Sequence, residues 1–250
     1  MLVEARLAVV TGGSRGIGAG TARRLASEGW NVLVTYRSEE DAAQAVVADC
    51  REAGVWADTA RVDVAADDEV RELFASLPAE AGPLRGLVNN AGIVAPTSTV
   101  AEMDADRIRR VLEVNVLGVL LCSREAIRLM TRGNGAGGSI VNVSSRAAVL
   151  GSPGEYVDYA ASKAAVDTVT TGLAKEVAGQ GIRVNSVRLG LVATEIHARN
   201  GEPARLDRLA PTVPMKRAGS PDEAAAAICW LLGDQASYTT GAHLDVSGGR

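Results

Sequence analysis

The sequence predicts an α/β fold, with a doubly wound parallel sheet of about seven strands flanked by helices. Short apolar segments rich in Val, Leu and Ile alternate with longer amphipathic segments along the 250 residues. This βαβα order is typical of a parallel sheet that is covered on both faces. No Pro/Ser-rich linker and no block of like charge divides the chain. We therefore expect a single domain over residues 1–250.

The elements follow from the periodicity of the apolar residues and from the turn residues between them. The expected strands are Leu7–Val10, Asn31–Thr35, Trp56–Val62, Gly86–Val88, Ser139–Val143, Arg183–Arg188 and Ala242–Val246. The expected helices are Gly16–Glu28, Glu39–Ala53, Asp67–Leu77, Asp104–Met130, Val157–Gly179 and Pro221–Leu232. A long segment of mixed charge, Thr194–Arg217, contains three prolines and is predicted to be a substrate loop, because long loops in compact folds are often functional.

The composition argues against several classes of protein. Aromatic residues make up 3% of the chain and the net charge is −4, whereas nucleic-acid binding needs a basic surface and stacking rings. No run of about 18 apolar residues predicts a membrane span, and Glu4 and Arg6 interrupt the first apolar stretch, unlike a signal peptide. The three cysteines are far apart and form no C-x-x-C motif. This favours reduced thiols in a cytoplasmic protein over disulfides or a metal site.

A glycine-rich turn, Thr11–Gly18, links the first predicted strand to the first helix with the spacing T-G-x-x-x-G-x-G. Glycines allow a sharp turn and a close approach to a ligand, and a helix start offers free N–H groups to a phosphate. The position of this turn in the first β–α unit favours a nucleotide cofactor over a plain tight turn. The residues expected to contact the cofactor are Gly12, Ser14, Arg15, Gly16, Ile17 and Gly18.

The end of the second predicted strand indicates which dinucleotide would bind. An acidic residue there would favour NAD, but the chain has Tyr36 followed by Arg37. Arginine matches a 2′-phosphate in charge and geometry, and Arg15 could assist from the glycine turn. NADP(H) is therefore the expected cofactor and NAD(H) the less favoured one. The alternative is that both arginines are solvated surface residues.

One tyrosine and one lysine are spaced as an acid–base pair. Tyr159 and Lys163 are four residues apart near the start of a predicted helix and so share one helix face. A nearby ammonium group favours the phenolate and lowers the tyrosine pKa. The chain has few tyrosines and lysines, and Tyr156 has Ala160 at the matching position, so Tyr159 is the candidate. The alternative is an amphipathic helix whose Tyr and Lys only face solvent or a partner helix.

Ser145 follows the fifth predicted strand, at the rim where the glycine turn is also expected. Its hydroxyl could donate a hydrogen bond to a substrate carbonyl oxygen, although a Ser-Ser pair is more often a turn or a helix cap. No G-x-S-x-G motif surrounds it, and the histidines, His197 and His243, lack the neighbours that a hydrolase triad or a zinc site would need.

Together these residues resemble the short-chain dehydrogenase/reductase family over nearly the whole chain. Further matching segments, in chain order, are Asp63-Val64, Asn89–Gly92, Asn115, Asn185–Val187 with Gly190 and Thr194, and Thr240–Gly249. The pattern is closest to 3-oxoacyl carrier-protein reductases and sugar dehydrogenases, and the expected fold is Rossmann-like. Two departures stand out: Leu189 replaces the family's usual proline, and Ser145 precedes Tyr159 by 14 residues where 13 is usual.

The resemblance implies hydride transfer between a nicotinamide and a carbonyl or secondary alcohol, with Ser145, Tyr159, Lys163 and Asn115 as the catalytic set. Lys163 would also hold the nicotinamide ribose, and Asn115 would support a water chain to Lys163. Further cofactor contacts are implied for Asp63, Val64, Asn90, Gly92, Val192 and Thr194. The resemblance also implies a homo-oligomer, a dimer or tetramer, formed through the long helices and the last strand. A sensor or scaffold that binds NADP without catalysis is the alternative, and the intact catalytic set argues against it.

Overall fold

The structure is a computed structural model and describes residues 6–132, 137–194 and 204–250. Its seven strands form one parallel sheet in the order β3-β2-β1-β4-β5-β6-β7, which confirms the predicted fold class. The strands are β1 (Leu7–Val10), β2 (Asn31–Tyr36), β3 (Ala57–Arg61), β4 (Leu84–Asn89), β5 (Gly138–Ser145), β6 (Ile182–Leu189) and β7 (His243–Val246).

The helices flank this sheet on both faces. They are α1 (Gly16–Ser27), α2 (Glu40–Glu52), α3 (Asp67–Ala75), α4 (Ala105–Leu112), α5 (Gly118–Met130), α6 (Ala147–Leu150), α7 (Val157–Val177), α8 (Arg205–Leu209) and α9 (Pro221–Leu232). None of the helices in the described parts of the chain is both long enough and apolar enough to cross a membrane.

Two of the sequence predictions differ from the observed elements. The helix expected over Asp104–Met130 is divided by a π-helical segment, Glu113–Leu117, because this stretch follows the wider i→i+5 hydrogen-bond pattern. The segment expected as a loop over Thr194–Arg217 contains the short helix α8. Residues 195–203, including His197, lie outside the described residues.

The core consists of two apolar clusters, one on each face of the sheet. Along β1, Ala8 and Val10 pack into the cluster under α1, α2 and α9, whereas Leu7 and Val9 pack into the one under α3, α5 and α7. Side chains alternate between the faces of a strand, so a central strand covered on both sides must be apolar throughout. This explains why β1 is a continuous apolar run.

The order of the strands determines where a ligand can bind. The chain adds strands outward from β1 to β3 and then returns to the other side of β1 with β4. In such sheets a crevice opens beyond the carboxyl ends of the strands at this point of reversal. Since all strands are parallel, Thr11 after β1, Asn90 after β4 and Ser145 at the end of β5 lie along one rim.

Candidate active site

A cavity of about 780 Å³ lies along this rim, within the range of small-molecule sites. The strand order places the residues after β2 and β3 at one end and those after β5 and β6 at the other. Most of the predicted site residues line it, namely Gly12, Ser14, Arg15, Gly16, Ile17, Arg37, Asp63, Val64, Asn90, Gly92, Ser145, Tyr159, Lys163, Val192 and Thr194. Gly18 and Asn115 do not line it.

The glycine turn needs its glycines for conformation and for space. Gly12 and Gly16 have φ angles of 61° and 53°, which disfavour any residue with a side chain. A Cβ on Gly12 would lie 2.9 Å from the Ala91 Cα, and one on Gly18 would lie 2.5 Å from the Asn90 Nδ2. Gly18, which is predicted to contact the cofactor, packs against the Asn90 side chain beneath the turn.

Asn90 fixes the shape of this turn. Its Nδ2 donates hydrogen bonds to the carbonyl oxygens of Thr11 and Gly12, at 3.0 and 2.9 Å. The Thr11 hydroxyl accepts hydrogen bonds from the main-chain N–H groups of Asn90 and Ala91, both at 3.0 Å. The end of β4 thus holds the end of β1 in place. The site therefore has a preformed turn at the N-terminus of α1.

At the β2 end of the cavity, charged groups of both signs meet. Arg37 is exposed, whereas the guanidinium of Arg15 pairs with the Glu39 carboxylate at 3.2 Å. Asp63 accepts a hydrogen bond of 2.6 Å from Arg110. Burial alone would raise the Asp63 pKa, but hydrogen bonds from Ala65 N–H and from Arg110 outweigh burial and hold the pKa below its usual value. Arg110 lines the cavity and was not predicted.

Ser145, Tyr159 and Lys163 come together at the β5 end. The Ser145 side chain lies close enough to the Tyr159 hydroxyl to lower its pKa, and its Oγ accepts a hydrogen bond of 3.1 Å from Ala147 N–H. The Lys163 Nζ lies 5.7 Å from the centroid of the Tyr159 ring and donates a hydrogen bond of 2.8 Å to the Val143 carbonyl oxygen. The neighbouring Ser144 instead donates to the Lys163 carbonyl oxygen and is buried. Of the two serines, Ser145 therefore has the hydroxyl beside Tyr159.

The pKa values of this pair differ from the simple expectation that the lysine lowers the tyrosine pKa. Burial raises the pKa of Tyr159, and the neighbouring Ser145 side chain opposes this. Burial also lowers the pKa of Lys163 to about 8, against the pull of the Asp167 carboxylate one helical turn away. Both shifts have the same cause, since low-dielectric surroundings disfavour the charged form of each group.

Asn115 lies in the π-helical segment, fully buried behind the cavity. Its Oδ1 accepts a hydrogen bond from Ile93 N–H at 2.8 Å, and its Nδ2 donates to the Ile93 carbonyl oxygen and to the Ser162 hydroxyl. A Cβ on Gly92 would lie 3.3 Å from Asn115 Oδ1 and 3.4 Å from Lys163 Nζ. The amide thus fixes the main chain after β4 at a point next to Lys163.

The turn after β6 is fixed despite the replacement of the usual proline. The Leu189 carbonyl oxygen accepts a hydrogen bond from Arg146 N–H at 2.8 Å, and Gly190 N–H donates one to the Val246 carbonyl oxygen at 3.0 Å. A Cβ on Gly190 would lie 2.6 Å from the Ser247 Cα. The close contact with the segment after β7 therefore defines this turn.

A cluster that the sequence did not predict lies at the β5 end of the cavity. Glu155 and Tyr156, just before α7, contact Arg205 at the start of α8, and all three line the cavity. Arg205 pairs with the Glu155 carboxylate and donates to the Tyr156 hydroxyl. Burial raises the Tyr156 pKa to about 12, although the charge of Arg205 opposes this. Contacts between residues about 50 positions apart leave no local signal in the sequence.

No group of three His, Cys, Asp or Glu side chains in the described ranges is arranged to hold a metal ion. All three cysteines are buried and free.

The chain is similar, over nearly its whole length, to known reductases and dehydrogenases. A family model described as enoyl-(acyl carrier protein) reductase matches residues 12–250. The chain is 53% identical to the uncharacterized oxidoreductase YgfF of Escherichia coli, over 98% of this chain and 99% of that protein. It is 39% identical to 3beta-hydroxysteroid dehydrogenase 1 of Eggerthella lenta, over 99% and 94%. Among solved structures, a short-chain type dehydrogenase/reductase from Mycobacterium marinum matches with a TM-score of 0.92 at 33% identity, over 98% and 95%.

Proposed function

Because the chain belongs to the short-chain dehydrogenase/reductase family, we propose that it is an enzyme that transfers a hydride between NADP(H) and a carbonyl compound or secondary alcohol. The observation that supports this most strongly is the placement of Ser145, Tyr159 and Lys163 at one end of a cavity that the glycine turn also lines. A sensor or scaffold without catalysis has no observation in its favour.

The shape of the rim fits a dinucleotide. The preformed glycine turn leaves room where side chains would intrude, and the first N–H groups of α1 favour a pyrophosphate. Asp63 and Val64 would contact the adenine, and Asn90, Gly92, Val192 and Thr194 would border the nicotinamide. When bound, NADP(H) supplies the hydride donor or acceptor. Arg37 and Arg15 would bind the 2′-phosphate, with Arg15 exchanging its Glu39 partner for that group.

The catalytic residues would transfer a proton to or from the substrate oxygen and stabilise the phenolate that forms. Tyr159 donates its phenolic proton to the carbonyl oxygen during reduction and takes a proton from the alcohol during oxidation. Ser145, whose side chain lies beside the Tyr159 hydroxyl, donates a hydrogen bond to the same substrate oxygen. Lys163 in its ammonium form stabilises the phenolate and holds the ribose. Asn115 fixes the main chain beside Lys163, which is a positioning role.

The family relationship also supports a homo-oligomer with a small-molecule substrate, and the buried free cysteines support a cytoplasmic location. Leu112, Leu117 and Leu120 are about 40% exposed along α4, the π-helical segment and the start of α5, which supports this stretch as a subunit contact. A monomer in light scattering would contradict the proposed oligomer.

The proposed reaction is tested with a panel of ketones, aldehydes and secondary alcohols, each with NADPH or NADH in the reducing direction and NADP or NAD in the oxidising direction. Nicotinamide absorbance reports turnover. We expect cofactor-dependent turnover of at least one carbonyl–alcohol pair, with a higher kcat/KM for the phosphorylated cofactor. An enzyme that binds NADPH but turns over no compound of a broad panel would contradict the proposal.

A further inference from the structure

The cluster of Glu155, Tyr156 and Arg205 is a preorganised part of the cavity wall. Arg205 has only 4% of its surface exposed. Its Nη1 and Nη2 donate to the two Glu155 carboxylate oxygens at 3.1 and 2.6 Å, which is a bidentate pair. Arg205 Nη2 also donates to the Tyr156 hydroxyl. Such a pair positions both charges through geometry as well as through attraction.

This cluster directly adjoins the proposed acid–base residue. The rings of Tyr156 and Tyr159 meet edge to face, with their centroids 5.7 Å apart and their planes at 88°. The Arg205 Cζ lies 5.0 Å from the centroid of the Tyr156 ring. A group on the substrate close to its reacting carbon would therefore be near the Glu155–Arg205 pair.

The backbone before α7 holds Glu155 in place. Ser152 has a φ of 46°, which is uncommon for a residue other than glycine, and Gly151 and Gly154 also have positive φ angles. The Glu155 carbonyl oxygen accepts a hydrogen bond of 2.8 Å from Ser98 N–H. This segment lies within the stretch that is one residue longer than usual between Ser145 and Tyr159. The backbone of this segment thus holds Glu155 in the cavity wall.

Electrostatics then determine which substrates this part of the cavity accepts. A buried charge is costly unless it is paired, and the Glu155 carboxylate balances the buried Arg205 guanidinium. A substrate carboxylate here would lose its hydration without gaining a free partner, because Glu155 already neutralises the Arg205 charge that would attract it. Much of the remaining wall is apolar, with Ile93, Val94, Ala147, Leu150, Pro153 and Leu209.

We infer that the Glu155–Arg205 pair determines substrate specificity, and that it favours uncharged carbonyl compounds over carboxylate-bearing compounds of the same skeleton. This inference rests on the proposed function. It adds a substrate class that is defined by charge, and it assigns the selection to two residues outside the proposed catalytic set.

The test compares a keto ester with its free acid, starting with methyl 4-oxopentanoate and 4-oxopentanoate, in the wild type, Glu155→Gln and Arg205→Gln. We expect the wild type to have the higher kcat/KM for the ester. Glu155→Gln removes a negative charge from the wall and should raise the acid-to-ester ratio of kcat/KM by about tenfold or more. Arg205→Gln removes the positive charge and should lower that ratio. If neither compound is turned over, their inhibition constants against an accepted ketone give the same ratio.

Glu52→Gln is the matched control, because it makes the same change of net charge at an exposed site at the end of α2. NADPH binding and thermal unfolding show whether each variant is folded. If Arg205→Gln does not fold, the result for Glu155→Gln alone decides the test. If the pair had a purely structural role, its variants would change kcat/KM for the acid and for the ester by the same factor. A wild type that prefers the acid, or an unchanged ratio in Glu155→Gln, would overturn the inference. Absence of any turnover on the ketone panel would instead contradict the proposed function.

Discussion

The chemistry of the site depends on single residues whose surroundings change their properties. Lys163 has 5% of its surface exposed, and its Nζ donates to the Val143 carbonyl oxygen. Burial lowers its pKa to about 8, whereas the Asp167 carboxylate raises it. An unperturbed lysine has a pKa of about 10.4. Below pH 8 the fold thus contains a buried ammonium group, and the associated cost in stability decreases as the pH rises from about 8 towards 10.4.

The three lysines of the chain make this shift measurable. In NMR spectra of lysine-labelled protein without cofactor, we expect one side-chain signal to titrate near pH 8 and to be absent in Lys163→Met. Asp167→Asn should move this midpoint to lower pH, because it removes the carboxylate that favours the ammonium form. A Lys163 midpoint at about 10.4 would contradict the burial effect.

The exposed Arg37 is also proposed to select NADPH over NADH. Arg37→Asp places a negative charge where the 2′-phosphate would bind, so we expect kcat/KM with NADPH to fall by about tenfold or more while the value with NADH changes little. Arg24→Asp, at an exposed residue of α1 that does not line the cavity, is the control of equal charge. An unchanged ratio of NADPH to NADH in Arg37→Asp would show that Arg37 does not select the cofactor.

At the scale of elements, the sequence predicted what depends on local patterns. Apolar residues located the central strands, because the parallel sheet is covered on both faces there, whereas the edge strands β3 and β7 are more polar and less buried. The π-helical segment Glu113–Leu117 was missed, because its sequence continues an ordinary helical pattern and the widened turn depends on tertiary contacts of Asn115. Helix α8 was missed because three prolines and mixed charges favour a loop, whereas its packing depends on the distant Glu155.

The π-helical segment carries a prediction of its own. Asn115→Leu would leave the N–H and carbonyl groups of Ile93 without their amide partner, and each unsatisfied buried group costs about 1–3 kcal/mol. We expect a loss of about 2–4 kcal/mol in the free energy of unfolding, measured with urea. Gln180→Leu, the same kind of exchange at an exposed position, is the control. Equal stability of Asn115→Leu and the wild type would contradict the positioning role.

At the scale of the whole molecule, the parallel topology gathers residues from Gly12 to Arg250 around one cavity. Motifs at strand ends could be predicted because every strand ends at the same rim, which is why the glycine turn, Asn90 and Ser145 are found together. Arg110 and Arg205 could not, because their positions depend on packing between helices and on partners about 50 residues away. The described fold thus accounts for the location of the site, and long-range packing completes its lining.

Tyr159 is proposed to transfer the proton while hydride moves to or from the substrate. The most direct measurement is turnover of an accepted carbonyl compound by Tyr159→Phe, together with its NADPH affinity. Phenylalanine keeps the ring and removes the hydroxyl, so turnover should fall by at least about 100-fold while NADPH still binds. Turnover by Tyr159→Phe at the wild-type rate would contradict the account.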